Sequence, residues 1–552
     1  MLDKPQNTNW LENAIDLDIH IGSMNDEVKY ATEFLFKELS ILVTVERAKA
    51  RSKEALKLIL LNLWISAHLD MPVKYSRNRN DYRHHKRYGK LHFKHKRIIS
   101  IIDALEELSY IENIKGFYDR EKNLGRQSRM YATKKLIDLF CHNNLTEPGF
   151  ITKQEPEEII QLKDDDKILK GYPDTDSTIS MKSGLIDYNN FIRNQDIRIN
   201  LNRNTEVNVR FLNQLYHNTL KGVINPSNLK LSYNIIEDSS HSLNSNYDNR
   251  ISDTRIIEQV VTSYPYSNVP YSYSPTMTKT LREYGSHPYD NEIIIEYSNN
   301  IAIQFFHIYF PTMTKTLRII EDSRKGTDSE QEKNYLGDIG IEHLIFKLNY
   351  ESLHRVFNKN SFEYGGRFYG AYHLGLPKAI RSEIQINGQP TVELDYSSLH
   401  IRMLYHMEGI DYRQDPYGIL SETKEERKMY KLVQLISINA ENEKKAVMAI
   451  RDAFRKKKIQ YPLNNDAIHK LLDKFKKVHW QIAKYLHSGQ GLKLQNKDSI
   501  ITEDILISLM NENIPCLPVH DSYIVPEEYE DRLYDKMIEA YEKVMGFEPV
   551  IG

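Results

Sequence analysis

Two carboxylates, Asp395 and Asp521, stand where a folded chain would expose them, and a cationic stripe lies between them in the sequence. Thr391-Val-Glu-Leu-Asp395 alternates like a strand, while Leu399, Met403, Leu404 and Met407 return at helical spacing, so Asp395 is expected at a strand-to-helix corner. Downstream, Cys516-Leu-Pro-Val519 and Ser522-Tyr-Ile-Val525 read as two short strands around a two-residue His520-Asp521 turn, closed by Pro526. Asp521 falls at the tip. Carboxylates brought within ~4 Å of one another would repel by roughly 4 kcal/mol at an effective dielectric near 20, which asks for a divalent cation between them. Hard oxygen ligands that leave room for water and phosphate suit Mg²⁺.

The stretch Ser421 to Ala440 opens with a Thr423-to-Glu426 capping-box pattern and carries Arg427, Lys431 and Leu435 four residues apart, on one helical face. Beside a metal site such a stripe suits a triphosphate tail. Standing alone it would be a solvated basic face, just as two isolated Asp residues would cap or solvate turns.

Taken in order, these segments resemble a known set. The Asp395 segment resembles motif A of family A DNA polymerases, matching Asp395, Tyr396 and Ser397, then Arg402 seven places on and His406 eleven places on. The Arg427 helix is similar to motif B, the fingers helix, and His520-Asp521 to motif C. Tyr364-Gly-Gly-Arg367-Phe-Tyr369 resembles the Gly-Arg element that precedes motif A in those enzymes and in phage-type single-subunit RNA polymerases. The resemblance covers roughly residues 345–552 and implies a right-hand polymerase palm. It implies that Asp395 and Asp521 bind two Mg²⁺ ions, one activating the primer 3′-hydroxyl and one holding the triphosphate. Arg427 and Lys431 would then neutralise the β- and γ-phosphates, with Lys431 protonating the departing pyrophosphate. The Tyr396 carbonyl would complete the metal shell, Arg367 and Arg402 would hold primer or template, and His520 would lie near the primer terminus.

The chain departs from the family at defined places. His400 stands where the DNA polymerases have a Glu that excludes the ribose 2′-hydroxyl and where the RNA polymerases have a Gly; its bulk favours deoxynucleotides. Leu435 and Asn439-Ala440, assigned to the nucleotide pocket, replace the aromatic residue and the Tyr-Gly of motif B. His-Asp-Ser522 is the form of motif C carried by the RNA polymerase branch, so the choice between dNTPs and NTPs stays open. The short stretch from Asp395 to Arg427 implies compact fingers.

At 552 residues the chain has room for about three domains, and 40% hydrophobic with 27% charged residues is the composition of a soluble protein. No apolar run reaches bilayer length and Met1 to Trp10 lacks a signal-peptide core, so no membrane partner and a cytoplasmic setting, in a bacterial or phage-infected cell, are expected. Cys141 and Cys516 are too few for a disulfide framework or a zinc site. Net charge is −2, but its distribution is uneven. From Lys74 to Arg97 basic residues, among them Arg83, Lys86, Arg87, Lys94, Lys96 and Arg97, alternate with Tyr75, Tyr82, Tyr88 and Phe93 against the single acid Asp81, a phosphate-binding composition. His84, His85, His92 and His95 lack the acidic or Cys partners of a metal site. An apolar helix Ala55 to Leu69, the basic turn, a helix near Arg97 to Leu108 with Ile98, Ile101, Ile102, Leu105 and Leu108 inward, and a hairpin from Tyr110 to Ala132 resemble a winged helix, with the Arg97 helix offered to a major groove.

Elsewhere, Glu155-Pro-Glu-Glu and Asp164-Asp-Asp166 read as solvated loops, and no acidic set with exonuclease spacing is evident. Residues 238–300, rich in Ser, Asn and Tyr, suggest loops, and Pro275 to Arg282 recurs letter for letter as Pro311 to Arg318, a local duplication. A helix about Glu527 to Met545 stripes Leu533, Met537, Tyr541 and Val544 or Met545 on one face. The whole reads as an α+β chain with a winged-helix domain over residues 1–145, a mixed domain over 146–237, a connector or thumb-like region over 238–340 and a palm with fingers over 341–552. The expected activity is DNA-directed DNA polymerisation, on a primed DNA template in a phage, plasmid or mobile element, with protein partners left open. A single-subunit RNA polymerase or primase-like enzyme is the near alternative. A DNA-binding initiator or regulator with a degenerate polymerase module is the alternative of another class.

Overall fold

The computed structural model describes residues 14–39, 49–69, 71–82, 86–88, 94–119, 124–146, 148–207, 209–224, 230–233, 279–281, 293–295, 334–336 and 341–552. Helices and strands are mixed throughout, in two units. The first comprises Met1–Glu157, Asp196–Tyr350 and Gly375–Gly388; the second comprises Glu158–Gln195, Glu351–Leu374 and Gln389–Gly552. The boundaries expected at 145, 237 and 340 therefore do not describe the units, because the chain leaves and re-enters each of them. Residues 158–195 belong with the second unit for a physical reason. The Tyr188 hydroxyl donates to the Cys516 carbonyl at 2.7 Å, and Asn189 exchanges two 2.9 Å hydrogen bonds with the Leu353 main chain.

In the first unit, Ile15–Asp16, Val73–Tyr75, Ser128–Ala132 and Ile111–Ile114 form a sheet in that order, with the first pair parallel and the others antiparallel. The helix Lys49–Leu69 is buried on nearly every side, and its Trp64 indole donates to Leu145 O at 2.7 Å. The helix His95–Glu107 buries Ile98, Ile101, Ile102 and Leu105, the inner face read from the sequence, while Leu108 is its cap. Phe117–Asp119 pairs with Leu124–Arg126 as a hairpin. Lys230–Tyr233, Ile341–Lys347, Ile197–Asn202 and Ile384–Ile386 make a further antiparallel set. Of the duplicated segment only Lys279–Leu281, paired with Ile293–Ile295, is among the described residues.

The second unit runs β1 (Ile160–Leu162), α1 (Asp176–Arg193), β2 (His354–Asn358), β3 (Ser361–Tyr369), β4 (Gln389–Asp395), α2 (Leu399–Met407), α3 (Lys424–Asn439), α4 (Glu443–Lys456), α5 (Asn465–Val478), α6 (Gly491–Asn511), β5 (Leu517–Val519), β6 (Ser522–Pro526) and α7 (Glu530–Met545). The strands β4, β6 and β5 are neighbours in that order, all antiparallel. A second set places β2 between β3, antiparallel, and β1, parallel. α7 buries Leu533, Met537, Ala540 and Tyr541 against β4, β6 and α6, so the C-terminal stripe is core. α3, α4 and α5 pack on one another through Val433, Ile450, Phe454, Leu472 and Phe475, which makes a small helical cluster of the region expected as fingers. Among the described residues no helix is long and apolar enough to cross a membrane.

Candidate functional site

The turn from β4 into α2 is made by Ser398, whose left-handed backbone (φ +53°) caps the helix and reverses the chain just after Asp395. Asp395, at the strand end, is exposed. β5 and β6 pair Val519 with Ser522 around a two-residue turn in which His520 takes φ +60°, the positive φ that such hairpins require. Asp521 is thus held at the tip. Cross-strand pairing sets Asp395 opposite Ser522, and Tyr396 N donates to Asp521 O at 3.0 Å, so the two acids sit on adjacent strand ends. Residues 550–552 run beside the corner: Asp395 N donates to Gly552 O at 3.2 Å and Ser397 N to Val550 O at 2.8 Å. The Ser522 hydroxyl donates to Glu393 at 2.8 Å, which puts a further carboxylate on this strand, two residues before Asp395.

Arg367 reaches the same place from β3. Gly365 and Gly366 have φ +78° and +90° at an irregularity where β3 slips against β2. A Cβ on Gly366 would lie 2.6 Å from a Phe357 ring carbon and 2.8 Å from Ser499 Oγ, so only Gly lets β3 approach α6. The carbonyls freed by the irregularity find side-chain donors. Arg355 Nε binds Gly366 O at 2.9 Å, and Asn496 binds Phe362 O at 2.8 Å. Arg355 is 1% exposed, lies between the Phe357 and Phe368 rings, and continues to Glu503 at 2.6 Å and Ser499 at 3.1 Å. Arg367 itself donates from Nε at 2.7 Å and Nη2 at 2.6 Å to one oxygen of Asp498, and from Nη2 to His400 Nε2 at 3.2 Å.

Asp498 was not read from the sequence as a site residue, although it carries a signal. It occupies the apolar stripe of α6 with Leu494, Ile501 and Ile505, where a charge needs a partner. Burial pushes its carboxyl up to about 6, against the pull of Arg367 and aided by the negative charge of Asp521. Burial, with the positive charge of Arg367 beside it, pushes the His400 imidazole down to about 3. His400 is therefore neutral.

The cationic helix α3 shows the stripe expected of it: Lys431, Leu435 and Asn439 are exposed and Arg427 half-exposed on one face. Thr423 Oγ1 accepts from Glu426 N at 3.1 Å, while the Glu426 carboxylate accepts from Glu422 N at 2.7 Å, one residue earlier than a capping box would place it. Tyr417 links this helix to the Asp395 corner. Arg427 and Lys431 stand over its ring at 5.2 and 5.8 Å, its hydroxyl donates to Gln434 at 2.8 Å, and it bonds the Ser398 side chain. Arg427 also forks onto Asp415 with two 3.1 Å hydrogen bonds. Asn439 turns its amide back to Leu435 O at 2.7 Å and lies where a Cβ on Gly491 would be.

Some assigned residues are placed differently. Arg402 is 5% exposed, and its guanidinium donates to the carbonyls of Ser397, at 2.9 Å, and Tyr412. These bonds brace the corner. The Tyr396 ring is turned into the core, its hydroxyl on Met537 O at 2.6 Å, leaving only its main chain at the site. His520 is exposed, with its ring 6.2 Å from that of Tyr369. In the first unit, Lys94 and Lys96 are exposed at the start of the helix His95–Glu107, Arg97 is half-buried, and Arg87 is half-buried in the turn Lys86–Tyr88. Arg83, the Lys86 side chain, His84, His85 and His92 lie outside the described residues.

Among the described residues no group of three or more His, Cys, Asp or Glu could hold a metal ion. The donor set at the corner is two carboxylates and a main-chain carbonyl, which fits Mg²⁺ held jointly with water and substrate phosphates and does not fit an all-protein cage. No family model matches the chain, and no curated protein is similar to it.

Proposed function

We propose that this chain is a template-directed nucleotidyl transferase, a family A-like polymerase in its second unit, which extends DNA from dNTPs. One observation carries this conclusion. Asp395 and Asp521, from distant segments, end adjacent strands, with Arg367, His400 and the cationic face of α3 in the same unit. Two Mg²⁺ held by Asp395, Asp521 and the Tyr396 carbonyl would supply charge neutralisation at the reacting hydroxyl and the phosphates. Arg427 and Lys431 would take the β- and γ-phosphates, and Arg427 would exchange its Asp415 partner for them as one anion for another. Lys431 would give a proton to the leaving pyrophosphate oxygen. His400 would lie against the sugar, and Arg367 against the primer end.

The first unit supports a winged-helix DNA-binding role. The strand order Val73–Tyr75, Ser128–Ala132, Ile111–Ile114, with a hairpin before the middle strand and a helix opening on exposed Lys94 and Lys96, supports that reading. Lysines there would set position on phosphates while base edges specify.

The test is extension of a labelled primer on DNA and RNA templates with Mg²⁺, supplying dNTPs and NTPs separately, beside Asp395→Asn and Asp521→Asn. Incorporation of dNTPs that falls at least about 1,000-fold in either variant is expected, since each removes a charge that acts on the transition state. Undiminished incorporation in both variants, or no product from the unaltered chain with either nucleotide set, overturns the assignment.

A further inference from the structure

Asp498 has no part in the reaction proposed above, yet its carboxylate is 1% exposed, and its Oδ1 is buried without a hydrogen-bond partner. Its Oδ2 holds Arg367 through Nε and Nη2, and the same Nη2 reaches His400 Nε2. A guanidinium can only donate. His400 Nε2 must therefore accept, which leaves the imidazole proton on Nδ1. Three residues from α6, β3 and α2 thus form one chain of carboxylate, guanidinium and neutral imidazole.

Packing alone does not require this chain. α6 is already fastened to β2 and β3 by Arg355 with Glu503 and Ser499, and by Asn496 on Phe362 O. A second buried ion pair on the same helix adds little to that fastening, because desolvation offsets most of its attraction. What it adds is direction. An anion at Asp498 fixes the plane of the Arg367 fork, and that plane determines where His400 finds its donor.

We propose that Asp498 is a positioning residue which fixes Arg367 and, through it, the tautomer and ring orientation of His400, so that nucleotide-sugar choice depends on a residue that touches no nucleotide. This rests on the polymerase function proposed above. Asp498→Asn keeps the shape but removes the anion, so Arg367 loses its charge-assisted bonds and His400 loses a fixed donor. His400 is then free to turn, as it is absent in His400→Ala.

The experiment uses the full chain with Asp498→Asn, His400→Ala, their double variant, Asp395→Asn and, as a packing control, Glu503→Gln. Single-nucleotide extension gives kcat and KM for a dNTP and for the matching NTP. Asp498→Asn and His400→Ala should each change the dNTP:NTP ratio of kcat/KM by about tenfold in the same direction, and the double variant should go no further, because the two act as one unit. Glu503→Gln should leave that ratio unchanged. Additive effects of Asp498→Asn and His400→Ala, or equal losses for both nucleotides in Asp498→Asn, overturn the positioning role while leaving the polymerase function intact. Incorporation that survives Asp395→Asn overturns the polymerase function and this inference with it. Should Asp498→Asn not fold, ¹⁵N shifts of the imidazoles in the unaltered chain, with His400 assigned by its loss in His400→Ala, decide the matter: a neutral ring protonated at Nδ1 near neutral pH is expected, and a ring protonated at Nε2 or on both nitrogens overturns the proposal.

Discussion

Replacing Gly366 with Ala should be far more damaging than the gain of one methyl group suggests. At φ +90° an L-residue is strained by about 1–2 kcal/mol. The new methyl would also stand 2.6 Å from a Phe357 ring carbon and 2.8 Å from Ser499 Oγ. Neither neighbour gives way readily. Phe357 is buried against Phe362 and the Arg355 guanidinium, and the Ser499 hydroxyl is held by main-chain oxygens of Asn496 and Gly365. Overpacking of this kind costs about 1–3 kcal/mol, while the stiffer unfolded chain returns about 0.4–1 kcal/mol. The net expectation is a loss of about 1–5 kcal/mol. Gly409 provides the control, since it has φ +73° with nothing within 4 Å of a built Cβ, so Gly409→Ala bears the strain alone. Because a chain of two units need not unfold in one step, stability is best followed in urea by hydrogen exchange, read separately on peptides covering β3 and α6. A Gly366→Ala loss within about 0.5 kcal/mol of the Gly409→Ala loss would refute the idea that β3 and α6 approach as closely as they do.

The Asp498 carboxyl, displaced by burial from 3.8 to about 6, makes the second unit pH-sensitive in a defined direction. A folded-state value above the unfolded one means that the folded chain holds the extra proton, so the stabilisation is complete below about pH 4 and is lost as pH rises through about 6. Relative to Asp498→Asn, the unaltered unit should lose roughly 3 kcal/mol of unfolding free energy between about pH 4 and pH 7. A difference that stays flat, or rises, contradicts the burial of that charge. Lys431→Ala should lower kcat/KM for nucleotide incorporation by about 100-fold while moving the unfolding midpoint little, since the side chain is exposed. An equal loss of stability would show it to be structural.

How legible all this was in the sequence depended on how local the signal is. The Asp395 corner, the His520-Asp521 hairpin and the α3 stripe each rest on periodicity or turn chemistry within about a dozen residues, and each lies where that reading put it. What escaped was made by contact at long range. Asp498 becomes part of the site only because α6 crosses β3, and Tyr417 only because its ring lies under two cations of a later helix. Arg402 shows the converse. Its offset from Asp395 was plain, but the Ser397 and Tyr412 carbonyls occupy the guanidinium, which no spacing rule reveals. Composition likewise follows the chain, whereas each unit is assembled from three separate stretches of it.

The Tyr188 hydroxyl and the Cys516 carbonyl that accepts from it are separated by 328 residues. A ribosome adding about 5–20 residues each second would expose α1 some 16 to 66 s before the strand that receives it exists. During that interval Leu185, Tyr188 and Ile192, all buried in the finished unit, lack the part of their cover that α6 and the Cys516 segment supply. Yield of this protein in the cell should therefore respond to chaperone supply and growth temperature far more than its finished stability would suggest. Shortening the chain from its C-terminal side should release a nascent product whose α1 lacks its α6 and Cys516 cover, and so drive aggregation, rather than a smaller soluble protein.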